Sequence, residues 1–280
     1  MMYPPNHLQP SSGNSKMIIS VLQHDIMWAN PARNAERLSG MMNTLPKADL
    51  YVLTEMWSTG FITAAENRTE TDSISSLDWM KRMAREHDAA IAGSIALQEG
   101  ERFYNRFYFV MPDGQSVCYD KRHLFTYGGE DLHFTRGEQR TVVEWRGVRF
   151  LLQVCYDLRF PVWCRNYWDD ERQQANYDAI LYVANWPTSR IEAWNTLLRA
   201  RAIENQCYVV GVNRVGEDPN CKYCGCSAVI DPYGRTLVEC ERNKEMSAEA
   251  DLDMETLAAF RKKFPVLKDA DLYKIEKLKR

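Results

Sequence analysis

Cys155 closes the run Arg149-Phe-Leu-Leu-Gln-Val-Cys155, and Tyr-Asp-Leu-Arg-Phe-Pro161 follows it. A largely apolar run of this kind reads as a strand buried on both faces. Its last residue stands at the mouth of a sheet, where open α/β sheets hold their ligands. A cysteine there is either a small core residue or a nucleophile. Glu55, after Tyr-Val-Leu-Thr, and Lys121, after Val-Cys-Tyr-Asp, also stand at the ends of predicted strands. If the three strands are near neighbours, the three side chains converge on one rim. Together they make coherent chemistry. A thiol is mostly protonated at neutral pH and needs a base or a cation to become nucleophilic. A carboxylate can take its proton. An ammonium can hold both the thiolate and the oxyanion formed when that thiolate attacks a carbonyl, and the Tyr156 N–H offers a second oxyanion donor. No histidine lies near Cys155 in the sequence, which weighs against a papain-like Cys-His pair. Each residue also has a plainer reading: a solvent-facing carboxylate at Glu55, an exposed cation at Lys121, ordinary loop acidity at Glu130. Spacing alone leaves both sets open.

The elements that must position these residues follow from hydrophobic period and turn chemistry. Strands are expected over residues 17–23, 50–54, 89–96, 103–111, 116–120, 141–145, 148–154, 178–185, 207–215, 227–231, 236–240 and 245–252. Pro112-Asp-Gly114 and Pro232-Tyr-Gly234 are hairpin turns. Helices are expected over 30–45, 73–88, 190–206 and 254–263, and the turn at Pro161 allows another to begin. Asn30 can cap the first, with Pro31 in its first turn and Leu38, Met41, Met42 and Leu45 on one stripe. Ile74, Leu77, Met80 and Met83 or Ala84 form the stripe of the second. Ile191, Trp194, Leu197, Leu198 and Ile203 form that of the third. Strands alternating with helices, with hairpins interspersed, imply helices covering mixed sheets in an α/β layered fold. No internal linker or repeat interrupts the chain, so residues 17–280 read as a single domain with a charged tail from Lys268. A polar, Pro/Asn/Ser-rich stretch over 1–16 reads as a disordered extension.

The 280 residues are 45% hydrophobic and 26% charged with a net charge of −3, the balance of a soluble globular protein. The basic residues are scattered and no run is long and apolar enough to span a bilayer, so neither nucleic acid nor membrane is an expected partner. Eight cysteines without a secretory leader point to free thiols and a cytoplasmic location, and make the Asn67-Arg-Thr69 sequon a chance match. Cys221-Lys-Tyr-Cys224-Gly-Cys226 resembles a metal knuckle, but only Cys240 and distant histidines could complete it. It is read as free thiols in a loop, and Cys118, Cys164 and Cys207 as small core residues. No metal is expected.

Glu55 in Leu-Thr-Glu-Met-Trp-Ser-Thr-Gly-Phe61, Lys121 in Tyr-Asp-Lys-Arg-His-Leu-Phe125 and Cys155 in Val-Cys-Tyr-Asp-Leu-Arg-Phe-Pro161 resemble, in this order, the Glu-Lys-Cys signature of the nitrilase (carbon–nitrogen hydrolase) superfamily. Tyr-Val-Ala-Asn-Trp-Pro187, Ala-Arg-Ala-Ile-Glu-Asn205, Val-Asn-Arg-Val-Gly216 and Val-Ile-Asp-Pro-Tyr-Gly234 extend the likeness over residues 17–265. The resemblance implies a four-layer αββα sandwich that dimerises and attacks amides or nitriles without metal or organic cofactor. It implies Cys155 as nucleophile, Glu55 as general base and Lys121 as the cation of the tetrahedral intermediate. Glu130 matches a second glutamate that positions Lys121 or the substrate. Lys-Arg-His-Leu-Phe125, Gly-Glu-Asp-Leu-His-Phe134 and Ala-Asn-Trp-Pro187 are most similar to the omega-amidase branch. That branch implies release of ammonia from the terminal amide of α-ketoglutaramate or α-ketosuccinamate.

A substrate with a distal carboxylate calls for a cation, and Arg159 and Arg165 are the candidates. A structural ion pair is the competing reading of Arg159. Phe61, Tyr127 and Trp186 are either pocket wall or core aromatics. Other amidase, carbamoyl hydrolase or nitrilase branches are the alternative enzymes. An idle binding scaffold, or a thiol-based metal module, is the alternative from outside enzymology.

Overall fold

In extended backbone, successive side chains face opposite ways, so a strand buried throughout needs a covering layer on each side. The computed structural model describes residues 16–63, 70–271 and 273–275. The expected extension, save Lys16, lies outside them, as do the Asn67 sequon and the end of the charged tail.

In chain order the strands are β1 (Lys16–Gln23), β2 (Leu50–Val52), β3 (Ala90–Glu99), β4 (Arg102–Val110), β5 (Ser116–Asp120), β6 (Val142–Trp145), β7 (Val148–Val154), β8 (Trp168–Asp169), β9 (Gln174–Ala175), β10 (Ala179–Ala184), β11 (Tyr208–Asn213), β12 (Val215–Glu217), β13 (Lys222–Cys224), β14 (Ala228–Ile230), β15 (Thr236–Glu239) and β16 (Met246–Asp253). One six-stranded sheet runs β16-β1-β2-β3-β4-β5, and a second runs β15-β14-β11-β10-β7-β6. Each has a parallel centre, β1-β2-β3 and β7-β10-β11, flanked by antiparallel strands.

Five α-helices are described: α1 (Pro31–Met42), α2 (Glu70–His87), α3 (Pro161–Cys164), α4 (Ile191–Asn205) and α5 (Met254–Lys263). Between the sheets, Val21, Val52, Ala92 and Phe109 meet Leu152, Val154, Leu181 and Val210. The alternate residues face outward. Tyr51, Leu53 and Ile91 pack under Leu38 and Met42 of α1 and Met80 and Met83 of α2. Leu151, Ile180 and Val209 pack under Trp194, Leu198 and Ala202 of α4. The layers are therefore helix, sheet, sheet, helix: the four-layer αββα sandwich that the family resemblance implied.

Several local expectations change. Helix α1 is capped by Asn30, whose side chain accepts the Arg33 N–H at 3.3 Å, but it ends at Met42. Pro46 disfavours helical backbone at Leu45. Ile74 is 55% exposed. The inward stripe of α2 is turned toward the small Ser73 and Ser76, and Ser73 Oγ donates to the Ala96 carbonyl at 2.8 Å. Ile203, expected inward, is 52% exposed and lies across Gly234, where an added Cβ would come within 2.6 Å of it. Cys118, expected in the core, is exposed on the outer face of edge strand β5. The 221–226 stretch is not a plain loop. Its β13 pairs antiparallel with β12, burying Cys224 and, just beyond, Cys226. Gly225 between them has φ +74°, and any Cβ there would collide with the Gln23 side chain.

Candidate active site

The polar residues gather at the C-terminal ends of the parallel strands, with Lys121 at the end of β5. Cys155 opens a short 3₁₀ turn (Cys155–Arg159) directly after β7, with φ +44°. Positive φ is strained for a residue with a Cβ, and a strained strand-to-turn elbow lifts a side chain out of the sheet. Glu55 follows β2 by three residues, Lys121 follows β5 by one and Asn185 follows β10 by one. Glu55, Lys121 and Glu130 are all buried. Lys121 Nζ donates to Glu55 Oε1 at 2.9 Å and to Glu130 Oε1 and Oε2 at 3.1 and 2.8 Å. Glu55 and Lys121 both act electrostatically on the Cys155 thiol.

The electrostatics follow from this packing. Burial pushes the Cys155 thiol well above its usual range, Glu55 adds to that, and Lys121 opposes it. Burial alone would lower the Lys121 ammonium, but Glu130, Glu55 and Cys155 reverse this and hold it above its ordinary value. Glu130 is raised, first by burial and then by Glu55, with Lys121 and Asn105 pulling it back. These influences favour the protonated thiol at Cys155.

Three residues that sequence reasoning did not single out complete the frame. Asn105, on β4, donates to Glu55 Oε1 at 2.8 Å and to Glu130 Oε1 at 3.0 Å, while its own oxygen accepts from Ser94. Asn185 donates to Glu55 Oε2 through its backbone N–H at 2.8 Å and to the Glu55 carbonyl through Nδ2 at 2.8 Å. Asp157 ties the Cys155 turn to the Lys121 segment. Its Oδ2 accepts the Val154 N–H at 3.0 Å and the Tyr119 hydroxyl at 2.8 Å. Its Oδ1 accepts the His123 N–H at 3.0 Å and His123 Nδ1–H at 2.8 Å. Asn185 and Asp157 sit inside motifs quoted above, which was their signal. Asn105 had none.

A cavity of about 520 Å³ opens over Cys155, Glu55 and Lys121. Phe61, Tyr127, Tyr156, Arg159 and Trp186 line it, so every proposed wall residue reaches it. Phe61 lies under Lys121 Nζ at 5.5 Å. Trp186 is both wall and core: it is buried against Trp194, with ring centroids 5.5 Å apart. Tyr127 is 86% exposed and forms the rim. Arg159 lies over the Trp186 ring at 5.0 Å, and the ion pair that was its other expected reading is not formed among the described residues. Arg165 is excluded from the cavity wall; its guanidinium donates to the Glu204 carbonyl. Cys221 reaches the cavity, and among the described residues no three His, Cys, Asp or Glu side chains gather to hold a metal.

The carbon-nitrogen hydrolase profile matches residues 18–262. The chain belongs to that family. It is a hydrolase acting on carbon–nitrogen bonds, within the nitrilase superfamily. It is 44% identical over 261 residues to the omega-amidase YafV of Yersinia enterocolitica, covering 92% of this chain and 98% of that protein. It is 37% identical over 265 residues to the 2-oxoglutaramate amidase of Bacillus subtilis, covering 92% of this chain and all of the relative. Among solved structures it superposes on XC1258 of Xanthomonas campestris, a CN-hydrolase superfamily protein with an arsenic adduct in its active site. The TM-score is 0.88 at 41% identity, over 93% of this chain and 99% of the other.

Proposed function

We propose that this protein is an omega-amidase that hydrolyses the terminal amide of small ω-amido-dicarboxylates, α-ketoglutaramate and α-ketosuccinamate, through a Cys155 thioester. One arrangement carries the reading: Cys155, Glu55 and Lys121 share a cavity with Arg159, a cation that no described carboxylate neutralises. The omega-amidase and 2-oxoglutaramate amidase relatives support the substrate class.

Glu55 takes the Cys155 proton as the sulfur attacks the amide carbon. The oxyanion is held by Lys121 Nζ and the Tyr156 N–H. Early N–H groups of a helical turn have no intrahelical acceptor, so Tyr156 has a donor to give. The protonated Glu55 passes its proton to the leaving nitrogen as the C–N bond breaks, and ammonia departs. Glu55 then removes a proton from water, which attacks the thioester and returns the thiol and a free carboxylate. Two modest steps replace one difficult hydrolysis. Glu130 positions Lys121, Arg159 pairs the distal carboxylate, and Phe61, Tyr127 and Trp186 shape the wall.

The reaction as drawn uses no metal or organic cofactor. We take residues 17–280 as one catalytic domain of a cytoplasmic homodimer; free thiols at all eight cysteines support the reducing compartment. Ammonia release from α-ketoglutaramate by wild type, abolished in Cys155→Ala, is the expected result. Turnover surviving in Cys155→Ala sinks the mechanism. A wild type inert to this amide but active on carbamoyl or nitrile substrates moves the protein to another branch.

A further inference from the structure

Two guanidinium groups line the cavity, from Arg159 and Arg190. No ion pair among the described residues includes either one. The other charged groups of the wall are already answered. Lys121 is held by two carboxylates. Asp218 accepts the N–H groups of Asn220 and Cys221 at 2.8 and 2.7 Å and the Tyr223 hydroxyl at 2.5 Å. The cavity therefore offers an anion two cations that no described side chain satisfies.

Arg190 is set for that task by its surroundings. Its guanidinium carbon lies 5.2 Å from the Phe125 ring centroid and 5.9 Å from that of Tyr127. Its backbone is fixed at the start of α4: the N–H donates to the Pro187 carbonyl at 3.0 Å, and its own carbonyl accepts Trp186 Nε1–H at 2.8 Å. Seating a guanidinium against aromatic rings restricts its orientation and leaves N–H edges free, which suits bidentate pairing with a carboxylate. In the sequence, Arg190 marked only the beginning of a helix.

We propose that Arg190 is a specificity-determining residue that works with Arg159 to read the free carboxylate of a monoamide of a dicarboxylic acid. The substrate class rests on the omega-amidase reading; the choice of Arg190 rests on its own geometry. Removing one such charge-assisted contact weakens carboxylate recognition by about 10- to 100-fold.

The test compares wild type, Arg190→Gln and Arg190→Lys on α-ketoglutaramate and on the uncharged pentanamide, with calorimetric binding of glutarate to each protein as a second arm. The expected result is a fall of about 10- to 100-fold in the ratio of kcat/KM for the charged over the uncharged amide in Arg190→Gln, expressed in KM. Glutarate affinity should fall by a similar factor. Arg190→Lys should recover part of the loss, since it keeps the charge and not the planar fork. If Arg190→Gln fails to fold, the same ratio in Arg190→Lys carries the test. A ratio unchanged from wild type overturns the proposal, as does glutarate affinity equal in all three proteins. A wild type inert to α-ketoglutaramate refutes the substrate reading alone, and glutarate binding then decides Arg190. Absence of glutarate binding to wild type at millimolar concentration overturns the carboxylate site.

Discussion

Glu130→Gln separates positioning from charge at the centre of the site. The two Glu130 oxygens accept four contacts: Oε1 from Lys121 Nζ and Asn105 Nδ2, Oε2 from Lys121 Nζ and the Phe125 N–H. All four come from donors. Glutamine has the same shape but only one acceptor oxygen, so its NH₂ must confront two donors whichever way it turns. Each orientation forfeits one contact to the Lys121 ammonium and one neutral N–H bond. A charge-assisted bond is worth about 1.5–3 kcal/mol and a neutral one about 0.5–1.5 kcal/mol, so roughly 2–4.5 kcal/mol of Lys121 positioning is lost. Felt fully in the transition state, that is a fall in kcat of about 30- to 2000-fold, with KM much less changed. Cys155 should respond in the opposite sense. The negative Glu130 raises the thiol, so removing its charge lowers the pKa and increases the thiolate fraction at fixed pH. Iodoacetamide should therefore label Cys155 faster in Glu130→Gln, while ammonia release becomes slower. A folded variant that keeps kcat within about 3-fold of wild type and labels no faster refutes the reasoning.

Asp157→Asn meets the same acceptor deficit, since Val154, Tyr119 and both N–H groups of His123 all donate to it. We expect a loss of about 2–4 kcal/mol in urea unfolding and at least about a 10-fold loss in kcat, because the tie between the Cys155 turn and the Lys121 segment is broken. Unchanged stability and kcat would refute that tie. His24, fully buried with Nδ1 3.1 Å from the Leu22 carbonyl, is lowered to about 4 from 6.5, chiefly by burial. The unfolded chain therefore binds a proton before the native one does, and stability falls as pH drops from about 6.5 toward 4, by roughly 3 kcal/mol in all. Urea midpoints at pH 7.5 and 4.5 should draw closer together in His24→Asn; equal pH sensitivity in both proteins would contradict this.

The strands leading to Glu55 and Cys155 were legible because burial on both faces leaves a plain apolar run, whereas β5, leading to Lys121, is mostly exposed or half-buried and was legible from the Pro112-Asp-Gly114 turn before it. The sandwich order was not contained in those runs. An apolar strand does not declare which of its faces meets the other sheet; that came from the family resemblance, and the packing of Val52 and Val154 inward and Tyr51 and Leu151 outward agrees with it. Stripes were read least well where a small residue turned the helix. Ser73 and Ser76 bury in place of Ile74 because a serine hydroxyl can find a backbone acceptor, here the Ala96 carbonyl for Ser73 and the Asp72 carbonyl for Ser76, and hydrophobic period is blind to that.

The site was legible in its charges and obscure in its amides. Glu55, Lys121 and Glu130 form a buried group with two acids and one base, an excess of negative charge that desolvation makes costly unless every lone pair finds a donor. Asn105 and Asn185 supply those donors: the first bridges the two carboxylates, and the second holds the oxygen of Glu55 that Lys121 does not. Neither could be foreseen as a reactive group, because neither reacts. A buried glutamate with one salt-bridge partner leaves acceptors to be counted, and counting them points to amides on the neighbouring strands. By the same accounting the guanidinium groups of Arg159 and Arg190 stand apart, since both line the cavity and neither has an ion-pair partner among the described residues.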